Sequence, residues 1–401
     1  MKDGVQEQDK GKKQEDGEEP GTIHHPPSAI QGGGIVVFFL MLCLLFSVRG
    51  YAATNDDDHG KETVERRQKI EIDRFYAGKG GNAPMAPMAI ELYNDAVKFF
   101  EKNEFELARD ALNESLSLEP RNALALELLG EIANLQQDFK KAENYYKQSY
   151  LVSPSTRLRQ KIEKIQKENL VEKNLDTYDE EHFIIKYRKG EQGYEGYWLK
   201  NLLRDAYRQI SQDFGVYFNH KTSVLFYSGN EFRDVTGQSI WVGGLYDGKI
   251  RLPAYRQGFR ELDLRAAAVH EMTHAFVASL SGSRAPAWIH EGLAQYEQNK
   301  IQPVNVTVFA TAIQTKALMP MSRLLSESLQ IDKMDPLEVA LFYQEVFALV
   351  SYMVERYQMY RMKEILVKFK EGKPAEQAIE EVLSISVTQL EKEWLATILK
   401  S

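Results

Sequence analysis

The residues whose types and spacing could do chemistry lie in the stretch His270-Glu271-Met272-Thr273-His274. On a helix, His270 and His274 lie one turn apart on the same face, so both imidazoles can bind one Zn²⁺ at about 2.0–2.1 Å. Glu271 follows the first histidine directly and therefore projects beside such an ion, where a base for a metal-bound water is needed. The stretch predicts a hydrolytic site with one Zn²⁺ per chain.

A catalytic zinc takes three protein ligands and keeps a fourth position open. The nearest source of a third ligand is Trp288-Ile289-His290-Glu291-Gly292, which follows after a turn that contains glycine and proline. Glu291 is the first candidate because it opens a second helix with an apolar pattern. His290 competes with it, and because adjacent helical residues point about 100° apart, only one of the two should face the metal.

The helix that carries the two histidines is expected over 260–281, with Gly282 closing it. Three alanines at 266–268 give it a slim face for close packing just before the ligands. Val269 and Phe276 are among the apolar residues that flank the motif, as expected for a buried helix. So short a motif can also occur by chance on a surface helix with two solvated histidines. The apolar flanks argue against that alternative.

Strands are expected before this helix at 182–187, 222–227 and 241–253, with an amphipathic helix at 197–214. Pro253 indicates that the last strand ends there or lies at an edge. An edge strand has unpaired N–H and C=O groups to which an extended peptide can add. After the active-site region the sequence predicts a mostly helical second wall of a cleft, in segments at about 305–317, 319–329, 336–358, 360–371, 374–382 and 387–399.

Further upstream, equivalent positions recur every 34 residues over about 89–156. This period predicts helix–turn–helix units, with small residues at Ala108 and Ala142 where the two helices of a unit approach closely. Two units are marginal alone, and 158–170 is expected to cap them. A polar hinge is expected at 174–181. The recurring pairs are Ala108 and Ala142, Leu112 and Tyr146, Ser115 and Ser149, and Pro120 and Pro154.

The first 85 residues differ in composition from the rest. Residues 1–34 are polar, charged and glycine-rich, which predicts a disordered tail, and 54–85 are expected to form a linker. Between them, 35–53 begins with fourteen residues that are apolar except for one serine and continues with small residues, which predicts a signal peptide or a membrane anchor. Both interpretations place the bulk of the chain outside the cytoplasm, periplasmic or secreted. If 35–53 is uncleaved, the run at 35–48 makes the membrane a partner.

Composition narrows the classes of partner and metal site. The chain has 401 residues, 43% of them hydrophobic, and a net charge of −8. Because no basic stripe is present, nucleic acid is not an expected partner. The single cysteine, Cys43, excludes a disulfide within the chain and a metal site built from cysteines. Any metal must therefore be held by histidine, aspartate or glutamate.

The motif at 270–274, followed by the residues at 286–294, resembles the gluzincin metallopeptidases and, more narrowly, the bacterial peptidase MA-like families. The resemblance covers about 177–400. It implies His270, His274 and Glu291 as zinc ligands, so it favours Glu291 over His290. It also implies Glu271 as the base and proton shuttle.

The same resemblance implies an α+β fold, in which a small mixed sheet packs on the active-site helix beside a helical C-terminal lobe. The strand at 243–253 resembles the substrate-binding edge strand of these families, and residues 390–394 resemble their closing helix. In several gluzincins the residue four after the ligand glutamate is acidic and orients a ligand histidine. Here that residue is Gln295, which can accept the hydrogen bond but brings no charge.

Peptide hydrolysis also needs a hydrogen-bond donor for the tetrahedral oxyanion, in addition to the metal. The candidates are tyrosines of the C-terminal helices, Tyr343 first and Tyr352 second. A buried core aromatic is the alternative interpretation of each. Arg251 and Arg284 are weaker candidates.

The 34-residue units resemble tetratricopeptide repeats, so the predicted architecture is all-α repeats at 86–172 followed by a zincin-like metallopeptidase domain at 177–401. The predicted function is an extracytoplasmic zinc peptidase that acts on a peptide or protein substrate, with the repeats recruiting substrate or a protein partner. The alternative is a non-catalytic repeat scaffold with a vestigial zinc-binding domain. Relics usually lose the base or a ligand, and both are present here. Hydrolysis of a non-peptide amide is a third possibility.

Overall fold

The computed structural model describes residues 87–188, 196–237, 243–255 and 260–399. The expected tail at 1–34, the segment at 35–53 and the linker at 54–85 lie outside the described residues. Trp241 and Val242, at the start of the expected third strand, lie outside them as well.

The N-terminal part consists of helices that pack in consecutive pairs. Two hydrogen bonds repeat its architecture: the Ser115 hydroxyl donates to the carbonyl of Ala89 at 2.8 Å, and the Ser149 hydroxyl donates to the carbonyl of Ala123 at 2.7 Å. Donors and acceptors are each displaced by the same 34 residues, so the sequence period is a structural period. The helices are α1 (Pro87–Glu101), α2 (Phe105–Leu118), α3 (Ala123–Leu135), α4 (Phe139–Val152) and α5 (Thr156–Glu172).

A five-stranded mixed sheet follows, in the order β1-β2-β3-β5-β4. Its three inner strands run parallel, and each outer strand pairs antiparallel with its neighbour. Alternate side chains of β2 are buried, whereas β3 is buried on both faces, which fits its central place in the sheet. The strands are β1 (Asp176–Asp179), β2 (Phe183–Tyr187), β3 (Thr222–Ser228), β4 (Leu245–Tyr246) and β5 (Ile250–Tyr255).

Helix α8 (Glu261–Ser281) packs against β4, β5 and α6 (Gly196–Phe214). It is buried over nearly its whole length from Leu264 to Ala278, as its three consecutive alanines and apolar flanks predict. A left-handed Gly282, with φ of 58°, ends it. The short helix α7 (Gly229–Thr236) follows β3 and begins with a capping box at Ser228.

The C-terminal lobe is helical and shares one hydrophobic core with the sheet. Its longest helix, α12, is the one described helix that is long and apolar enough to cross a membrane, and most of that apolar stretch is buried inside the protein. The helices are α9 (Ala287–Asn299), α10 (Thr307–Thr315), α11 (Met321–Leu324), α12 (Pro336–Tyr357), α13 (Met359–Lys370), α14 (Ala375–Leu383) and α15 (Val387–Ile398). Together these elements give the expected α+β class, mostly helical with a small mixed sheet.

Three expectations about individual elements are wrong. The polar segment at 174–181 contains strand β1, because its backbone pairs with β2 although its side chains stay largely exposed. The segment at 241–253 is not one strand: its described part is the β4–β5 hairpin, with β5 between β3 and β4. The helix expected at 319–329 is only the four-residue α11.

Candidate metal centre

Helices α8 and α9 bring together the three expected ligands, His270, His274 and Glu291, all of them buried. His270 and His274 lie on one face of α8, with ring centroids 4.7 Å apart and ring planes almost perpendicular. Glu291 comes from α9, which begins directly after Pro286. The centre therefore depends on the close packing of two helices.

Gly292, the residue after Glu291, lets α9 approach α12 closely. A Cβ atom at this position would lie 2.4 Å from Val350 Cγ2 and 2.8 Å from the carbonyl oxygen of Val346. Any larger residue would push α9 away from α12 and shift Glu291 relative to the histidines. Gly292 is therefore needed for the close packing of α9 on α12 and not for a turn.

The three ligand atoms have the separations that a small cation requires. Glu291 Oε2 lies 3.7 Å from His270 Nε2 and 3.5 Å from His274 Nε2. Ligands at about 2.0–2.2 Å around a tetrahedral zinc are themselves about 3.3–3.6 Å apart. Within the described part of the chain none of these three buried atoms has a hydrogen-bond partner. Buried polar atoms are otherwise almost always paired, so the set fits a metal ion.

Each histidine is oriented through its other ring nitrogen. His270 Nδ1 lies 2.8 Å from Gln298 Oε1, so this nitrogen donates to the amide oxygen and leaves Nε2 free to coordinate. His274 Nδ1 lies 2.6 Å from Nδ1 of His290. His290 therefore contacts the ligand His274 and is not itself in the group that could hold a metal. That group consists of His270, His274 and Glu291.

Gln295, which the sequence suggested as the hydrogen-bond partner of a ligand histidine, does not have that role. Gln295 donates to the backbone carbonyl of Tyr343 at 3.1 Å, and the amide that contacts a ligand histidine is Gln298, one turn further along α9. The sequence signal that could have identified Gln298 is its spacing: it lies seven residues after Glu291, on the same face of the helix.

Burial keeps both ligand imidazoles neutral, the form that binds a metal, and favours a proton on Glu291, which a bound cation would displace. It lowers the pKa of His270 to about 4, opposed by the hydrogen bond that His270 donates to Gln298, and lowers the pKa of His274 well below its usual value. Both imidazoles are therefore neutral near pH 7. Burial, together with the charge of Glu271, raises the pKa of Glu291 well above its ordinary value. Two buried carboxyl groups beside neutral imidazoles form a site that a cation would stabilise.

Glu271 projects beside the three ligands, against the β4 end of the hairpin. The backbone N–H of Tyr246 donates to its carboxylate, and its Oε2 has no partner among the described residues. A Cβ on Gly244 would lie 2.6 Å from Glu271 Cγ, so only glycine fits there. Burial raises the pKa of Glu271 to about 8, opposed by the Tyr246 hydrogen bond. Near neutral pH this carboxyl can both accept and release a proton.

The four candidate donors to the oxyanion differ in the contacts that they make. Tyr343 is buried in α12, and its carbonyl accepts from Gln295, one turn after Glu291. Tyr352 donates to Glu393 at 3.4 Å. Arg251 and Arg284 are engaged elsewhere, the first with Glu168 of α5 and the second with Glu101 of α1, so neither arginine fits that role.

These features of α8 and α9 agree with the comparison of the sequence with known families. Residues 205–400 match the family model of the Peptidase MA superfamily. The match supports a zincin-like peptidase domain over this part of the chain. Among curated proteins, none matches the sequence.

Proposed function

We propose that the protein is a zinc-dependent peptidase of the gluzincin type. His270, His274 and Glu291 would hold one zinc ion, and Glu271 would act as the general base. The observation that carries the proposal is the convergence of three buried ligand atoms, without hydrogen-bond partners among the described residues, beside the buried carboxyl group of Glu271. The match to the Peptidase MA superfamily supports a peptide bond as the target.

A bound zinc would supply an acidified water and a Lewis acid for the scissile carbonyl. Glu271 would accept a proton from the attacking water at Oε2, which has no partner among the described residues, and would release it to the leaving amine. The N–H of Tyr246 holds the carboxylate in place. Gln298 and His290 hold the ligand imidazoles in orientation.

Tyr343 remains the proposed donor to the oxyanion. Its support is its place on α12 directly behind α9, with its backbone bonded to Gln295. Tyr352 has a carboxylate partner and is the second choice. If Tyr343→Phe keeps its zinc and hydrolyses peptides at the wild-type rate, this role is wrong.

The proposed substrate is a peptide or protein in an extended conformation. Strand β4 is the outer strand of the sheet and lies beside Glu271, which supports substrate addition at this edge. The helical pairs of α1–α5 are proposed to be tetratricopeptide repeats that recruit the substrate or a protein partner. The 34-residue recurrence of the buried serine hydrogen bonds supports this assignment.

The proposed location is outside the cytoplasm, with the chain periplasmic or secreted, or anchored through 35–48. The support is the apolar run and the small residues after it in the sequence. Fractionation of cells that express the full chain, with sequencing of the exported protein's N-terminus, tests this proposal. Recovery of the intact chain in the cytoplasm alone would contradict it.

The experiment for the proposed function is peptide hydrolysis by the purified chain before and after chelation. Hydrolysis should stop when zinc is removed and return when zinc is added back. A panel of non-peptide amides, assayed in parallel, distinguishes a peptidase from another amide hydrolase. A chain that binds zinc and cleaves no member of either panel would support the non-catalytic scaffold instead.

A further inference from the structure

The β4–β5 hairpin lies between the N-terminal helices and Glu271. On one side, the N–H of Tyr246 donates to the Glu271 carboxylate, and Gly244 packs against it. On the other side, the turn of the hairpin meets the end of α3. Gly248, with φ of +91°, lies so close that a Cβ there would be 2.7 Å from Leu135 Cδ2. The same short hairpin thus contacts both the base and the repeats.

Two cations of this hairpin are buried, and both bind one carboxylate of the N-terminal helices. Lys249 and Arg251 are each 1% exposed. Glu168 of α5 accepts from Arg251 Nη2 at 2.6 Å and from Lys249 Nζ at 3.2 Å. Lys249 also donates to Asn134 of α3 at 2.7 Å.

The turn itself is tied to the same helix. Asp247, the residue after Tyr246, accepts from Lys164 of α5 at 2.5 Å and also pairs with Arg251. Burial disfavours a charged Glu168, yet the Arg251 and Lys249 cations outweigh this effect and hold its pKa at about 2. Glu168 is therefore an anion at every physiological pH, and the hairpin is held by charge from outside the peptidase domain.

We infer that the N-terminal helices position the active site: through Glu168 they hold the hairpin that places Gly244 and the N–H of Tyr246 against Glu271. Glu168 is a positioning residue, since it touches neither the ligands nor the base. The inference rests on the proposed role of Glu271. It gives the repeats a part in catalysis that does not depend on what they recruit.

The test compares Glu168→Gln with Glu172→Gln in the full chain. Glu172 is a matched control because it lies one turn further along α5 and is also buried. Its hydrogen-bond partners are Lys186 of β2 at 2.7 Å and Tyr227 of β3 at 3.2 Å, and neither belongs to the hairpin. Both variants remove one buried carboxylate charge from the same helix.

Three quantities are measured for each variant: zinc per chain, kcat on one short peptide, and hydrogen exchange of the backbone amides at 243–252. Glu168→Gln should keep its zinc, because the ligands lie on α8 and α9, while its kcat falls about ten-fold or more. Exchange at 243–252 should accelerate in this variant. Glu172→Gln should keep wild-type exchange at 243–252 and a kcat within about two-fold of wild type.

Equal losses of kcat in the two variants, or unchanged exchange at 243–252 in Glu168→Gln, would overturn the inference. If Glu168→Gln does not fold, Asp247→Asn takes its place, with the same expected and contradicting results. The exchange measurement needs no turnover. A chain without peptidase activity would therefore refute the proposed function and still leave the positioning of the hairpin tested.

Discussion

The two histidines of the candidate metal centre are held by partners of different kinds. A neutral amide, Gln298, orients His270, and a second imidazole, His290, orients His274. Neither partner brings the negative charge that a carboxylate would. The ligand basicity of this centre therefore depends on burial and hydrogen-bond geometry, and the effects of single substitutions follow from these contacts.

Removing the amide that orients His270 should weaken zinc binding. Gln298→Leu deletes the acceptor of the Nδ1 proton, so the ring loses its fixed orientation. We expect zinc affinity to fall about 10- to 100-fold, as measured by competition with a chromophoric chelator. Gln295→Leu is the matched control, because that amide bonds to Tyr343 and to no ligand. Equal affinities of the two variants for zinc would show that Gln298 does not orient the ligand.

Adding one methyl group beside the base should impair catalysis without loss of metal. In Gly244→Ala the new Cβ meets Glu271 Cγ at 2.6 Å, which displaces the carboxylate or β4. We expect kcat to fall about ten-fold or more while zinc per chain stays constant. Gly237→Ala is the control. Its positive φ should cost the variant about 1 kcal/mol of stability, and because the space around the new Cβ is open, its kcat should stay unchanged. A wild-type kcat in Gly244→Ala would contradict the close contact.

Among the elements, those with strong internal patterns were predictable from sequence and those defined by their neighbours were not. Helix α8 follows from its alanines and apolar flanks, and the repeat helices follow from the 34-residue period. Strand β1 is polar and is a strand because β2 offers it a partner. The β4–β5 hairpin was missed although Asp247-Gly248 is a local turn signal, because the glycines were interpreted as interruptions of one strand.

The same reasoning separates the predictable and unpredictable parts of the site. The two histidine ligands and the base follow from local spacing on one helix, whereas the choice of Glu291 over His290 rested on the resemblance to a known family. The partners of the ligands could not be assigned, since Gln295 and Gln298 lie one turn apart and only the packing of α8 on α9 decides which contacts His270. Arg251 was open to a catalytic interpretation until α5 was seen to bury it.

A buried carboxyl group on α12 should make the contact between α12 and the loop that precedes α11 sensitive to pH. Glu345 accepts from the Met319 N–H at 2.9 Å, and burial raises its pKa from 4.5 to about 7, opposed by that hydrogen bond. Between these two pKa values the folded state binds more protons than the unfolded state, so stability falls as pH rises through this window. Above about pH 7 the buried charge is present at its full cost.

Glu345→Gln removes this dependence and keeps an acceptor for the Met319 N–H. We expect the variant and wild type to have similar stability near about pH 5, and the variant to be about 1–3 kcal/mol more stable near about pH 8. Urea unfolding at both pH values measures the difference. The account of Glu345 is wrong if the difference between variant and wild type is the same at both.

At the scale of the whole molecule, the repeats and the peptidase domain share buried charges. Lys249 and Arg251 lie in the peptidase domain but have their carboxylate on α5, and Tyr227 donates to Glu172 of the same helix. Arg284 makes a further link to Glu101 of α1 at 3.0 Å. We therefore expect the two parts to unfold as one unit, although a sequence boundary near residue 177 separates them.

A chain that begins at 177 should be much less stable than the full chain. It loses Glu168 together with the helix that covers Lys249 and Arg251, so the β4–β5 hairpin loses both its ion pairs and its buried packing surface. We expect a lower thermal midpoint and a loss of cooperativity, as followed by circular dichroism and calorimetry. An unfolding midpoint equal to that of the full chain would show that the interface contributes nothing to the peptidase domain.

The most direct test of the central claim compares the full chain with its Glu271→Gln variant. Zinc per chain and peptide hydrolysis are measured on the same preparations. The variant should bind as much zinc as wild type, because its three ligands are intact, while hydrolysis should fall to the background of the assay. Equal rates of peptide cleavage by the two chains would contradict the assignment of Glu271 as the base and, with it, the proposed peptidase mechanism.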